Sequence, residues 1–206
     1  MLRRLPLGIA ATAVGALALA AAATLLSRPA SPSVHPDGGG PLGSAGEAQQ
    51  VVNAVPAEGN PVTTFGIPLC ITDGNPSVIT SVGPWKSVGV FTLLGVRART
   101  FLPTAQDTVI YAVDGYPPSV PDPLQDPVGL KVTNPCGSGP GTPYTELLVG
   151  LSAVDGAGGG GWQGIAVGYK SGSRDLTLRI TDDLIICGPT TAAWCTSDSA
   201  PPTPPN

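Results

Sequence analysis

The chain has few charged residues, few aromatic residues and almost no histidine. Charged residues make up 12% of the 206 positions and aromatic residues 5%, which is a composition untypical of coiled coils and of helical enzymes. The one histidine, His35, lies in a stretch rich in proline and glycine. The predicted domain therefore lacks the usual general base of serine and cysteine hydrolases. It also lacks a common zinc ligand.

Positive charge is also scarce. The chain has ten basic and fourteen acidic residues, and its net charge is −4. Three of the basic residues, Arg3, Arg4 and Arg28, lie near the N-terminus, so the rest of the chain is more acidic still. Such a surface repels phosphate backbones, so we predict no nucleic-acid partner.

Charge is absent from the long apolar run between Leu5 and Leu26, which comes after the basic opening "MLRR". A run of this length is enough to cross a bilayer as a helix, and its flanking arginines favour export of the C-terminal remainder of the chain. We predict a signal peptide or signal-anchor helix over residues 1–26. An uncleaved anchor is slightly favoured, because the small-residue pattern Ala18-Leu19-Ala20 lies inside the run. The expected location is the cell membrane, single-pass with an extracytoplasmic domain, or secreted after cleavage.

Residues 27–61 form a stretch that is rich in proline and glycine, with six prolines and the motifs "DGGG" and "GSAGE". Little in it can bury a core, so we predict a disordered spacer. The domain is predicted over residues 62–196, and residues 197–206, "SDSAPPTPPN", form a second disordered tail. Contact with the membrane is expected through the N-terminal helix only.

The four cysteines contain no C-x-x-C pair, and their spacing is wide. In an exported domain they indicate two disulfides rather than a metal site, and we predict no metal and no cofactor. Four cysteines allow three pairings, which the sequence does not distinguish. The turn signal Gly188-Pro189 within "CGPTTAAWC" favours Cys187 with Cys195, which leaves Cys70 with Cys136.

Apolar residues recur with a period of two between Val62 and Thr196, and no segment has a helical pattern. In "YTELLVGLSAV", for example, Leu147, Val149 and Leu151 share one face and Glu146 lies on the other. About seven or eight such strands separated by turns predict an all-β, immunoglobulin-like antiparallel β-sandwich, with an up-and-down barrel as the alternative. Asp182 would break this alternation, so "TDD" must be a bulge or a turn. The main strand candidates are "PLCIT", "SVITSV", "VGVFTLLGVRART", "TVIYAV", "GLKVT", "YTELLVGLSAV", "WQGIAVGYK", "RDLTLRI" and "LIIC".

Four of these motifs occur in one order: a "PLC" opening, an "ELLVGL" strand, a "GIAVGYKSGSRDLTL" hairpin and a closing "LIIC". With the N-terminal anchor and the spacer, this layout resembles a loose group of uncharacterised exported actinobacterial proteins. The resemblance covers about Ile67 to Cys187. It implies an immunoglobulin-like sandwich outside the cytoplasm, and it implies no activity.

Two stretches favour binding over catalysis. The loop from Asp114 to Pro127 is rich in proline, and Tyr116, Pro117 and Pro118 lie near its start. Prolines reduce the entropy that a loop loses on docking, and tyrosine is a favoured contact residue. The second stretch, Asp155–Gly161, precedes Trp162, which we also take as a candidate contact. We therefore predict a non-enzymatic module that binds a protein or a cell-envelope polysaccharide through its loops.

Two alternatives stay open. A carboxylate-based extracellular hydrolase would bring together two or more of Glu146, Asp107, Asp114 and Asp155 in one cleft. A calcium-stabilised adhesion module would use acidic or glycine-rich loops such as "TDGNP", "TDD" and "VDGAGGGG", none of which matches the twelve-residue calcium loop.

Overall fold

Strands dominate the computed structural model, which describes residues 40–44, 52–54, 62–104, 107–137, 141–154 and 158–188. The predicted leader and tail lie outside these ranges. Within them there is no helix with the length and hydropathy that a membrane span needs. The strands are β1 Leu42–Ser44, β2 Val52–Ala54, β3 Val62–Ile71, β4 Ser77–Gly89, β5 Phe91–Phe101, β6 Ala112–Asp114, β7 Lys131–Val132, β8 Tyr144–Ala153, β9 Gly159–Ser171, β10 Arg174–Ile180 and β11 Leu184–Cys187.

These strands form two sheets. Sheet A has the order β1-β3-β8-β5, and β6 pairs with the first half of β3. Sheet B has the order β2-β11-β9-β4-β7, and β10 pairs with β9. Among these described strands, all pairings are antiparallel except that of β2 with β11. The predicted all-β class with antiparallel sheets is confirmed, and the two sheets are consistent with a sandwich.

The core lies between the sheets, as the alternating pattern predicts. In β8, Leu147, Val149 and Leu151 are fully buried in the main hydrophobic cluster, together with Ile165 and Val167 of β9. Alternate residues of a strand point to opposite faces, so the other β8 side chains, Glu146 among them, lie on the outer face of sheet A. Glu146 is nevertheless completely buried, which means that something covers this outer face.

The hairpin "GYKSGSRDLTL" is confirmed, because β9 and β10 pair from Ser171 with Arg174 to Ile165 with Ile180. The chain between Ile180 and Leu184 is not strand, so "TDD" does break the alternation as predicted. The single strand predicted for "VGVFTLLGVRART" is wrong. Gly89, with φ of +65°, ends β4 in sheet B, and the chain crosses to sheet A as β5.

Part of the predicted spacer is ordered, so the prediction of disorder is wrong at β1 and β2. Leu42 is 2% exposed and belongs to the core. The backbone oxygen of Pro41 accepts hydrogen bonds from the amide and the hydroxyl of Thr72, at 2.7 and 3.0 Å. Contacts with the rest of the fold thus hold in place a segment that is short and follows a proline.

Cys70 and Cys136 form a disulfide, with Cα atoms 4.8 Å apart. Gly43 of β1 pairs with Cys70, so β1 lies beside this cross-link. Cys187 is buried and is also disulfide-bonded. Its pairing with Cys195 stays a prediction, because Cys195 lies outside the described residues.

Candidate functional site

The connection between β5 and β7, residues 102–130, covers the outer face of sheet A, and we call it the cover loop. Its strand β6 pairs with β3, and Ala98 and Gln125 exchange two backbone hydrogen bonds of 2.9 Å. The amide of Ile110 donates to Glu146 Oε1 at 2.6 Å. The loop therefore forms a third layer, which explains why Glu146 is buried.

Arg99 is the centre of the contact between the cover loop and sheet A. Its side chain is fully buried, and Nε donates to Glu146 Oε2 at 2.7 Å. Nη1 donates to Asp107 Oδ1 at 2.7 Å, and Nη2 donates to the backbone oxygen of Thr108 at 2.8 Å. The guanidinium also lies 3.9 Å from the ring centre of Phe101. One side chain of the sheet thus holds two consecutive residues of the loop.

The strand register creates this arrangement. Arg99 of β5 lies directly opposite Glu146 of β8, although the two are 47 residues apart in sequence. Residues that face each other across antiparallel strands have Cβ atoms about 5 Å apart, close enough for a direct ion pair. A buried ion pair needs further hydrogen bonds to offset desolvation, and the loop supplies them through Asp107, Thr108 and Ile110.

Burial and pairing act against each other in this cluster. Burial raises the pKa of Glu146, and the adjacent Arg99 and the Ile110 amide oppose that rise. Burial lowers the pKa of Arg99, but the hydrogen bonds with Asp107 and Glu146 outweigh it, and the pKa is raised. Arg99 therefore stays charged while the carboxyls beside it titrate.

Asp122, on the second half of the cover loop, joins the cluster from the solvent side. Its Oδ2 lies 3.7 Å from Arg99 Nη1, the same nitrogen that donates to Asp107 Oδ1 at 2.7 Å. The neighbouring Asp107 carboxyl and desolvation raise the pKa of Asp122, against the attraction of Arg99.

A cleft of about 490 Å³ opens above this carboxyl pair. Side chains of prolines, Phe101 and Leu102 give it apolar walls, and threonine hydroxyls add polar groups. The lining residues are Thr100, Phe101, Leu102, Thr104, Asp107, Pro121, Asp122 and Pro143.

The residues predicted to contact a partner differ in their exposure to solvent. Trp162 is 1% exposed and belongs to the core, so the prediction of a contact role is wrong for it. Pro118 is buried as well, and Pro117 is exposed. Tyr116 is half-buried, and its ring packs where Gly150 and Gly95 leave room. Burial raises the pKa of its hydroxyl, against the effect of Arg97.

The glycine run before Trp162 also differs from the prediction of a contact loop. Gly159, Gly160 and Gly161 are buried in β9 between β4 and β11. A Cβ on Gly161 would overlap the backbone oxygen of Leu184. The missing side chains allow neighbouring backbones to approach closely.

The carboxylates proposed for a hydrolase converge in part. Glu146 and Asp107 both contact Arg99, and Asp122, which sequence reasoning missed, makes a third. Asp114 is exposed on β6 instead, and Asp155 lies outside the described residues. A pattern in the sequence that hints at the cluster is the basic end of β5, "VRART", facing a strand that carries a single acid.

The loops proposed for calcium show ordinary turn chemistry where they are described. Asp73 accepts a hydrogen bond from the Asn75 amide at 2.9 Å, which lowers its pKa. Asp183 accepts one from the Gly164 amide at 2.9 Å. Among the described residues, no group of three or more His, Cys, Asp or Glu side chains is placed to hold a metal ion.

Comparison of the chain with models of known protein families finds no match, and searches of curated proteins and of solved structures find none either. The function of the chain must therefore be inferred from the geometry of this site.

Proposed function

We propose that the chain is a non-enzymatic, extracytoplasmic module that binds a protein partner at the cell surface through its cover loop. The observation that carries the proposal is a long surface loop that is fastened to sheet A by hydrogen bonds to the buried Arg99–Glu146 ion pair of that sheet. Loops held on a rigid scaffold are where binding residues concentrate. Anchoring before binding lowers the entropy lost on association.

The exposed side of the cover loop has the chemistry of a protein contact. Tyr111 is 63% exposed, Val128 57%, Leu102 53% and Val113 38%. Exposed aliphatic and aromatic side chains on a rigid base are typical of interaction surfaces. Aliphatic side chains of this kind favour a protein partner over a cell-envelope polysaccharide. A capture experiment distinguishes these two kinds of partner.

The proposal also includes the location of the domain and its assignment to an immunoglobulin-like class. The charged and apolar N-terminal pattern supports export, with the domain tethered to the membrane or secreted. The Cys70–Cys136 disulfide supports an oxidising compartment. The size of the domain and its two antiparallel sheets support an immunoglobulin-like sandwich, and the likeness to exported actinobacterial proteins stays a prediction.

Capture from intact cells tests the proposal, using the full chain with its N-terminal segment present. We expect wild type to cross-link to a specific protein, and Leu102→Ser and Tyr111→Ala to lose most of that product. Val90→Ser is the matched control, because Val90 is 56% exposed but lies at the β4–β5 turn. Capture that is equal for all variants, or capture of polysaccharide alone, would overturn the proposal.

The second candidate function, a carboxylate-based hydrolase, is favoured by one observation. Asp107 and Asp122 both lie beside Arg99 Nη1 and line one open cleft, and paired carboxyls of this kind can divide the roles of general base and general acid. The ion pair of Asp107 with Arg99 at 2.7 Å argues for a structural role. Turnover of peptide or glycoside substrates that disappears in both Asp107→Asn and Asp122→Asn would establish the hydrolase.

A further inference from the structure

Sheet A ends in β5, and the first half of this strand has an open edge. β5 pairs with β8 from Phe91 to Phe101. On the other side of β5, Ala98 exchanges two backbone hydrogen bonds with Gln125. Alternate residues of an antiparallel strand direct their N–H and C=O groups to the same edge, so Val96 presents its pair on the same side as Ala98. Among the described residues, none pairs with this side of β5 between Phe91 and Val96.

The side chains along this open edge are apolar and exposed. Leu93 is 47% exposed and Leu94 is 40% exposed. The segment Val90–Val96, "VFTLLGV", contains no charged residue and no proline. An uncharged edge strand with exposed leucines is a ready template for pairing with another strand.

The other long edges in the described part of the fold are protected against such pairing. β4 is an edge of sheet B beyond its short contact with β7, and it carries Pro84 and Lys86. β10 pairs with β9, and it carries Arg174 and Arg179. Proline and charge are the usual devices that keep edge strands apart, and Val90–Val96 has neither. Both β4 and β5 contain a register shift, so that feature does not distinguish the two edges.

The chemistry of the edge indicates which partner fits it. Unpaired N–H and C=O groups in a row bind another extended strand, because its backbone groups repeat at the same spacing. The uncharged side chains of Val90–Val96 offer no ion pair to a charged segment. The β5 edge of a second copy of the chain matches this edge in length, in aliphatic side chains and in its lack of charge.

We propose that the open edge of β5 pairs with the same edge of a second copy of the chain, so that two copies of sheet A form one continuous sheet. A contact of this symmetric kind requires a surface that is complementary to itself. A two-fold axis at Leu93 sets Arg97 opposite Gly89 of the partner copy, so the two arginines do not face each other. The bridge between Ala98 and Gln125 ends the free edge, which limits the paired segment to about seven residues, or roughly 24 Å. The contact lies outside the cover loop, so this inference goes beyond the proposed function.

Engineered cysteines in the full chain test the contact directly. Residues that exchange both hydrogen bonds across antiparallel strands have Cα atoms about 5.5 Å apart, a distance that a disulfide spans. Under oxidising conditions we expect Leu93→Cys or Leu94→Cys to give a product with the mass of two chains on non-reducing gels. Thr177→Cys is the matched control, because Thr177 is exposed on the charged edge strand β10. It should give only the small amount of product that random collision produces.

Charge exchange at the axis separates loss of the contact from loss of the fold. Leu93→Lys and Leu93→Glu each set like charges opposite each other in a symmetric pair. We therefore expect the dissociation constant of each variant with itself to rise roughly tenfold or more. Mixing two differently tagged chains, one with each substitution, sets opposite charges there, and the two chains should co-purify. Mixing does not rescue a misfolded variant, and Thr177→Lys should pair as wild type does.

Two outcomes would overturn this pairing. The first is cross-linked dimer from Leu93→Cys and Leu94→Cys in no greater amount than from Thr177→Cys. The second is a mixture of Leu93→Lys and Leu93→Glu chains that co-purify no better than either variant with itself. Neither outcome bears on the capture of a different protein by the cover loop. Conversely, Leu102→Ser and Tyr111→Ala, which should abolish that capture, should leave the cross-linked dimer of the Leu93→Cys chain in place, so the two failures are distinguishable.

Discussion

At the scale of one residue, Glu146 shows that the alternating pattern of a strand predicts the face on which a side chain lies but not whether that side chain is buried. The alternation of β8 places it outside the sandwich core, which is correct, and the ordinary expectation for an outward glutamate is solvent. The cover loop buries it instead, and Arg99 becomes its partner at 2.7 Å. The residue that looks like surface charge is thus the anchor of the candidate site.

Removing this anchor should destabilise the protein strongly. Glu146→Gln leaves the buried Arg99 with Asp107 as its remaining close carboxylate, so we expect the free energy of unfolding to fall by about 3 kcal/mol, the lower end for a broken buried pair. Urea denaturation measures this. Asp114→Asn, an exposed substitution, should change the value by less than about 0.5 kcal/mol. Equal effects of the two would contradict the anchoring role.

Asp183 is a second buried carboxyl, with the Gly164 amide as its hydrogen-bond donor at 2.9 Å. Burial raises its pKa, and the Gly164 bond opposes the rise. Its contribution to stability is therefore present in acid and is lost as the pH rises through the raised pKa. Asp183→Asn keeps the acceptor without the charge. We expect it to have a higher Tm than wild type at about pH 7, and the two values to converge near pH 4.

At the scale of the element, β9 holds sheet B together, because it pairs with β4 on one side and with β11 and β10 on the other. Its first residues, Gly159–Gly161, look flexible in the sequence. They lie where three backbones come close, and side chains are excluded there by space. Composition alone does not distinguish a flexible glycine run from a tightly packed one.

Gly161→Ala tests this packing. The new Cβ would overlap the Leu184 backbone, so β9 and β11 must separate, at an expected cost of about 2 kcal/mol. Gly83→Ala is the control, since a Cβ there meets nothing within 4 Å. Thermal denaturation of both variants gives the comparison. A Gly161→Ala variant as stable as Gly83→Ala would mean that the strands adjust freely.

At the scale of the whole molecule, contacts between residues that are far apart in the sequence hold together sheet A, sheet B and the cover loop. Ordered residues from the predicted spacer add β1 to sheet A beside the Cys70–Cys136 disulfide, and the cover loop packs on the same sheet. The disulfide closes a segment of 66 residues that includes β4, β5, the cover loop and β7. It therefore limits the freedom of most of the candidate site in the unfolded chain.

Loss of this disulfide should be costly. In the chain-entropy model a loop of this length corresponds to about 4 kcal/mol of stability, so Cys70→Ala/Cys136→Ala should shift the urea midpoint strongly downward. The double variant avoids leaving a free thiol. A midpoint close to that of wild type would show that the unfolded chain is restricted by other means.

Local patterns in the chain were sufficient to predict the class of fold and the core face of the central strands, because period-two alternation depends only on neighbouring residues. They also predicted the hairpin between β9 and β10 and the break at "TDD", since turn chemistry is local too. The candidate site emerges only from the folded arrangement. Strand register places Arg99 opposite Glu146, 47 residues away, and loop packing adds the carboxylates of the cover loop, which the alternation of a single strand does not encode. The four charged residues of the site are Arg99, Asp107, Asp122 and Glu146.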